Sequence, residues 1–265
     1  MKIMYLTIVG IKIKLIFHYP NIENINKIAL NDLEFKIRQK FSGFINSRNS
    51  DYDYEIHFLN KEPSIFIKRH HNNDLYFMYF YQRNSRKINS FLGISLNQFM
   101  IIIMDIIKHT LIRNNGFIFH ASSCVSDGEI TIFLGKSKSG KSTIVKLLND
   151  RFPTFTDDTI VILRENHNFI CYQLPLIEKN YLIPRNKEGF PLNKIFFIHK
   201  STRWKKEKIL NKQKIFLLLV KQLWTEDKEK NIYIKRLINF LEEFTEFYYL
   251  WFTKECIDFD FNKHN

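Results

Sequence analysis

GKSKSGKST, residues 135–143, sets Gly135, Gly140, Lys141 and Ser142 in the spacing G-x-x-x-x-G-K-[ST]. Glycines at both ends of such a loop keep side chains clear, so backbone N–H groups can surround a phosphate, and the following helix adds partial positive charge at its N-terminus. The pattern has structural meaning only if a strand delivers the chain to Gly135 and a helix leaves it. Both are legible: EITIFL (129–134) has strand composition, and STIVKLLND (142–150) carries apolar residues at helical spacing. Just upstream, Asp127-Gly128 separates two β-rich runs and predicts a tight hairpin, because Gly accepts a positive φ without a Cβ clash.

The composition allows such a domain. The chain has 265 residues, 45% hydrophobic and 15% aromatic, with 26 Phe and 12 Tyr, far too apolar for disorder. Cys124, Cys171 and Cys256 have neither CxxC spacing nor an even count, which argues against a zinc site and a full disulfide framework and fits a reducing cytoplasm. MKIMYLTIVGIKIKLIF alternates like a strand and lacks a small-residue cleavage site, so it does not read as a signal peptide. The longest apolar passage, FMIIIMDIIKHTLI from Phe99, is broken by Asp105 and Lys108 and falls short of a bilayer span. The net charge of +13 is spread along the chain and is explained by a Lys/Ile/Asn/Phe-rich coding bias; no nucleic-acid partner is expected. One stretch is concentrated: KSTRWKKEKILNKQK (200–214) sets seven cations against Glu207.

The pattern along the chain is α/β. Residues 1–94 read as a small α+β domain or layer: strands KIKLIFHY, YEIHFL, SIFIKRH and LYFMYFYQ, and a helix over NDLEFKIRQKFSGFI. Its His70-His71 pair reads as a surface strand end, since no third metal ligand is near in sequence. Residues 95–265 form a second domain. It opens with a helix over 95–112, announced by the capping box Ser95/Gln98 and by Leu96, Phe99, Ile103, Ile106 and Ile107 at helical spacing. After the glycine loop and its helix, FPTFTDDTIVIL, FICYQL, KIFFIH and EFYYLWFT read as strands, and KIFLLLVKQLW and KEKNIYIKRLINFLEEF as helices.

Chemistry collects around the loop. Its residues Gly135, Lys136, Ser137, Lys138, Ser139, Gly140, Lys141, Ser142 and Thr143 would hold a nucleotide, with the Lys141 amine on the β- and γ-oxygens and the Ser142 hydroxyl on Mg²⁺. Lys136 and Lys138 are unusual loop fillers, expected to be solvated. Phosphoryl transfer also needs a metal carboxylate and a group that orients or deprotonates the acceptor, and Asp157 and Asp158 are the candidates. Adjacent strand residues point to opposite faces, so both reach one site only across a turn or bulge. His120 lies in the run that the Asp127-Gly128 turn should pair with the strand feeding the loop, which predicts an imidazole beside the phosphates.

The ordered set His120-Ala-Ser-Ser, Gly128, GKSKSGKST and Asp157-Asp158 resembles the C-terminal domain of the HPr kinase/phosphorylase family. It resembles above all the shorter relatives associated with modified-peptide (lasso-type) biosynthesis. The resemblance covers roughly residues 95–200 and is strongest over 117–162. It implies a phosphoenolpyruvate carboxykinase-like P-loop fold with a mixed sheet and ATP- and Mg²⁺-dependent phosphorylation of a serine on a peptide or small protein. By position it makes Asp157 the general base, Asp158 with Ser142 the metal shell, His120 the histidine beside the aspartates, and Lys141 the cation on the transferring phosphate. Thr143 stands where full-length regulators of the family carry Glu, and no E-x-R-G-x-G-like signature follows, which weakens the reverse phosphorylase reaction, HPr as substrate and the family hexamer as expectations and leaves them open. A transition-state arginine should lie downstream, with Arg185 and Arg203 the candidates. A nucleotide-binding regulatory module without phosphotransfer and a free-serine kinase stay open as alternatives, as do oligomerisation and the docking of an acidic peptide on 200–214.

Overall fold

In the computed structural model, residues 1–19, 32–47, 51–61, 66–69, 76–175, 183–225 and 230–254 are described; His70-His71 and Cys256 lie outside them. The chain is a mixed α/β protein that divides into two compact units: Met1–His109 with Arg185–Lys187, and Thr110–Pro184 with Glu188–Asn265. No helix among the described residues is long and apolar enough to cross a membrane.

The first unit is a mixed sheet under two helices. Strands β1 (Lys2–Ile8), β2 (Ile11–Phe17), β3 (Ile45–Asn46), β4 (Tyr54–Leu59), β7 (Gln82–Asn84) and β8 (Lys87–Phe91) run in the order β3-β1-β2-β4-β8-β7. Strands β5 (Phe66–Arg69) and β6 (Tyr76–Tyr79) form a separate hairpin. Helix α1 (Asp32–Lys40) ends sooner than NDLEFKIRQKFSGFI suggested: a 3-10 turn at Ser42–Phe44 leads straight into β3. Alternation along β1 and β4 buries Leu6, Ile8, Ile56 and Phe58, and helix α2 (Leu96–Arg113) sets Phe99 against Phe58 and Phe41. The capping box is formed, with the Gln98 backbone N–H donating to Ser95 Oγ at 3.2 Å and the Ser95 N–H to Gln98 Oε1 at 2.8 Å.

The second unit is a nine-stranded sheet that forks. Its strands are β9 (Phe117–His120), β10 (Ser122–Ser126), β11 (Glu129–Leu134), β12 (Thr154–Thr156), β13 (Thr159–Glu165), β14 (Asn168–Tyr172), β15 (Phe190–Lys200), β16 (Lys205–Lys208) and β17 (Phe247–Phe252). Strand β15 pairs in parallel with β11 on one side. On the other side it pairs with β14 at Phe190 and Pro191 and with β17 from Ile195 to Lys200. One arm therefore runs β14-β13-β9 and the other β17-β16. Helices α4 (Lys212–Val220) and α5 (Lys230–Glu243), the latter through Phe240, help cover one face, over Ile132, Leu134, Phe197 and Phe247. The other face packs Phe133, Phe196, Ile198, Leu250 and Phe252 against helix α3 (Lys141–Leu148). An eight-residue helix is marginal alone, and burial of Ile144, Val145 and Leu148, at about 1.5–3 kcal/mol each, holds it.

Two expectations change here. FPTFTDDTIVIL is two strands broken by a bend at Asp157-Asp158, not one. The helix expected over 214–224 ends at Val220, because residues 222–224 leave it to satisfy the open edge of β9: the His120 N–H donates to Gln222 O, and the Trp224 N–H to Ile118 O, both at 2.9 Å. KKEK (205–208), without apolar alternation, is a strand nonetheless.

Candidate functional site

The loop between β11 and α3 is shaped by its glycines. A Cβ on Gly135 would lie 2.5 Å from Ser139 Oγ and 3.2 Å from Ile198 Cγ1; one on Gly140, at φ +103°, would lie 2.6 Å from Phe252 Cζ. Lys138 takes the left-handed region at φ 64°, so the Ser139 N–H turns back to Lys136 O at 3.1 Å. The helix then begins with the Ile144 N–H on Gly140 O at 2.9 Å. Lys141 is 8% exposed, and its Nζ donates to Gly135 O at 2.9 Å and lies 3.4 Å from Lys136 O, which folds the amine back onto the loop. Ser142 and Thr143 sit half-buried in the first helical turn. The residues fit an anion: the cradle has no room for a Cβ at either glycine, and the buried Ser139 hydroxyl finds no hydrogen-bond partner among the described residues, a group that a polar ligand would satisfy.

The two aspartates sit where β12 gives way to β13, and the bend is held by hydroxyls. Ser122 Oγ donates to Asp157 O at 2.9 Å, Ser123 and Thr156 share a buried 2.8 Å hydroxyl contact, and the Ala121 N–H donates to Asp158 O at 3.0 Å. A register shift between Ser123 and Cys124 opposite β12 supplies the irregularity that adjacent aspartates need. The carboxylates nevertheless differ: Asp157 is buried at 3%, whereas the Asp158 side chain is 27% exposed, with Oδ1 3.5 Å from His120 Nδ1. His120 arrives by a route other than the expected one. The Asp127-Gly128 turn, with φ 54° and 79°, pairs β10 with β11, but His120 lies one strand earlier, on β9, and is registered against Thr159 of β13.

His120, Asp158 and Thr159 meet the start of the loop, Lys136 and Ser137, around an open cleft of about 560 Å³. The cleft is also lined by Lys221, Gln222, Leu223 and the 46%-exposed Trp224, none of which the sequence reading singled out. Their only signal was a Lys and a Trp at the end of an apolar helical run. Neither Arg185 nor Arg203 lines the cleft. Arg185 belongs to the first unit, its carbonyl 2.2 Å from where a Cβ on Gly43 would stand, and Arg203 is exposed between β15 and β16. Among the described residues, the cations lining the cleft are Lys136 and Lys221.

The basic stretch is less bare than its composition implied. Lys205 pairs with Glu207 at 2.8 Å, Lys208 with Glu246 at 2.6 Å and Lys212 with Glu242 at 2.7 Å. The pairing with Lys208 and a hydrogen bond from Tyr248 help hold the Glu246 carboxyl below its ordinary range against the burial that would raise it.

No protein-family model and no curated protein matches the chain. Among solved structures it is similar to an HPr(Ser) kinase/phosphatase from Coxiella burnetii, at 17% identity over 35% of this chain and 72% of that one, with a TM-score of 0.25.

Proposed function

We propose that the chain transfers the terminal phosphoryl group of ATP to a serine hydroxyl on a peptide or small protein. The observation that carries this reading is that the glycine loop and the His120–Asp158 pair open on one cleft through Lys136 and Ser137. Loop N–H groups and the α3 N-terminus would hold the phosphates, and Lys141 would move from its carbonyl partners onto the β- and γ-oxygens. The serine Oγ attacks the γ-phosphorus, the bond to the β–γ bridging oxygen breaks, the serine proton passes to an aspartate, and ADP leaves. Mg²⁺, held by the Ser142 hydroxyl and an aspartate, would neutralise charge on the phosphate oxygens.

The family resemblance gives the proton to Asp157 and the metal to Asp158. Exposure favours the reverse, since Asp158 lines the cleft beside His120 while Asp157 is buried. Asp157→Asn and Asp158→Asn, assayed across Mg²⁺ concentrations, separate the two: loss of the base lowers kcat at every Mg²⁺ level, and loss of the ligand shifts the Mg²⁺ dependence. Purified protein with γ-labelled ATP and serine peptides tests the reaction itself. Tight ATP binding with neither hydrolysis nor transfer would leave the regulatory-module reading, and labelling of free serine alone the free-serine kinase.

A further inference from the structure

Two residues at the end of β15 meet the two glycines of the loop. A Cβ on Gly135 would lie 3.2 Å from Ile198 Cγ1, and one on Gly140 would lie 3.6 Å from Lys200 Cε, the carbon that bears the ammonium group. Positions 196, 198 and 200 alternate onto one face of the sheet, where Phe196 and Ile198 pack against α3. Lys200 is the next member of that row. It is registered against Phe252 of β17, the ring that approaches Gly140, and it is exposed at the end of its strand.

A lysine at a strand end is ordinarily a solvated charge, and its neighbours show what an engaged one looks like. Lys205, Lys208 and Lys212 each hold a carboxylate, and Lys206 and Lys214 lie over the Tyr248 and Tyr249 rings. Among the described residues, no hydrogen bond, ion pair or ring contact engages the Lys200 ammonium. It is a free cation delivered to the residue from which α3 starts, where loop N–H groups and the helix terminus favour an anion. One C–N bond beyond Cε, the ammonium needs only rotation about its flexible stem to reach an oxygen held there.

We infer that Lys200 is a binding residue for the diphosphate common to ATP and ADP, its ammonium pairing with a phosphate oxygen held at the loop. Lys200 is not among the residues that line the cleft with His120 and Asp158. Transfer brings the γ-phosphorus to the acceptor beside those two, so a cation at Gly140 serves the phosphates that stay with ADP. Its contact is the same before, during and after transfer. It therefore adds equally to ground-state and transition-state binding, and shows as affinity, not as turnover. This inference rests on the nucleotide-binding half of the phosphotransfer reading.

Calorimetric titration of the full chain with ADP and with inorganic tripolyphosphate, in the presence of Mg²⁺ and beside steady-state ATP turnover, tests it. Lys200→Ala should raise the Kd of both ligands and the KM for ATP about tenfold, the size of one charge-assisted hydrogen bond, with kcat within about twofold. Lys200→Arg should stay within about threefold of the parent, and Lys200→Glu should bind about threefold more weakly than Lys200→Ala, or worse. Lys200 is exposed, so each variant should melt within about 2 °C of the parent. Lys235→Ala removes the same charge from an exposed position on α5, across the sheet from α3, and should leave both affinities within about twofold. Parent-like affinities in Lys200→Ala overturn the assignment, and so does an equal loss in Lys235→Ala, which would reduce the effect to net charge. A fall confined to kcat also overturns it, since the cation would then act on the transferring phosphoryl group. A parent chain that binds neither ADP nor tripolyphosphate refutes the nucleotide reading and the role of Lys200 with it. One that binds ADP but transfers nothing refutes only the transfer, and the two affinities still decide for or against Lys200.

Discussion

Replacing Gly140 with Ala tests the loop geometry directly, because two separable costs are readable there. The backbone sits at φ +103°, where a Cβ costs about 1–2 kcal/mol. The added carbon would also stand 2.6 Å from Phe252 Cζ, about 1 Å inside the comfortable carbon–carbon separation, and Phe252 is a buried β17 side chain at 2% exposure. Moving that ring adds about 1–3 kcal/mol of overpacking. Gly128→Ala is the control: its φ is +79°, but no atom lies within 4 Å of the added Cβ, so only the backbone cost applies. Guanidinium unfolding should therefore place Gly140→Ala at about 3 kcal/mol below the parent and Gly128→Ala at about 1–2 kcal/mol below. At about 2–4 °C per kcal/mol, Gly140→Ala should lower Tm by about 6–12 °C. Combining Gly140→Ala with Phe252→Leu should cost less than the sum of the single changes, since the clash is counted only once. Equal destabilisation by the two alanines, or strict additivity with Phe252→Leu, would refute the packing of the loop on Phe252.

Other expectations follow from single contacts. Lys221→Ala should lower ATP turnover about 10²-fold, with nucleotide affinity retained, and Lys221→Arg should restore most of it, because Lys221 is, with Lys136, one of the cations that line the cleft among the described residues; steady-state ATP hydrolysis measures this. Burial first, and Lys136 next, hold the His199 imidazole below its ordinary 6.5. The unfolded chain thus binds the extra proton first, and stability should fall as pH drops from about 6.5 toward the lowered value; His199→Gln should flatten that slope, and Lys136→Ala should raise the imidazole pKa seen by NMR. Burial pushes the Cys124 thiol up to about 12 and Cys171 well above its ordinary value. Both should resist a thiol reagent at pH 8 in the folded protein and react once denaturant is added, which peptide mapping after labelling distinguishes.

What could be read from the sequence was local. The glycine loop, the Asp127-Gly128 hairpin and the Ser95/Gln98 cap each follow from the φ or hydrogen-bond demand of a few adjacent residues, and each formed as spaced. What escaped was set by partners distant in the chain. KKEK shows no apolar alternation, yet it pairs with β17 because Lys205 lies over Trp251 and Lys206 and Lys208 lie over Tyr248, so cations over rings supply what apolar side chains supply in an ordinary strand. KQLW continued a helical pattern with nothing to stop it, and only the unpaired edge of β9 explains why the backbone leaves the helix at Val220. The candidate site depends on these distant pairings more than on its motif. The peeled segment gives the cleft Lys221 and Trp224, and the Gln222 carbonyl that ends it binds the His120 N–H. His120, in turn, reaches Asp158 through β13 and not through the strand that feeds the loop. A motif can name residues that belong together, but the bend at Asp157-Asp158 and the edge of β9 determine which of the two carboxylates faces the imidazole, and neither demand is written within any short stretch of the chain.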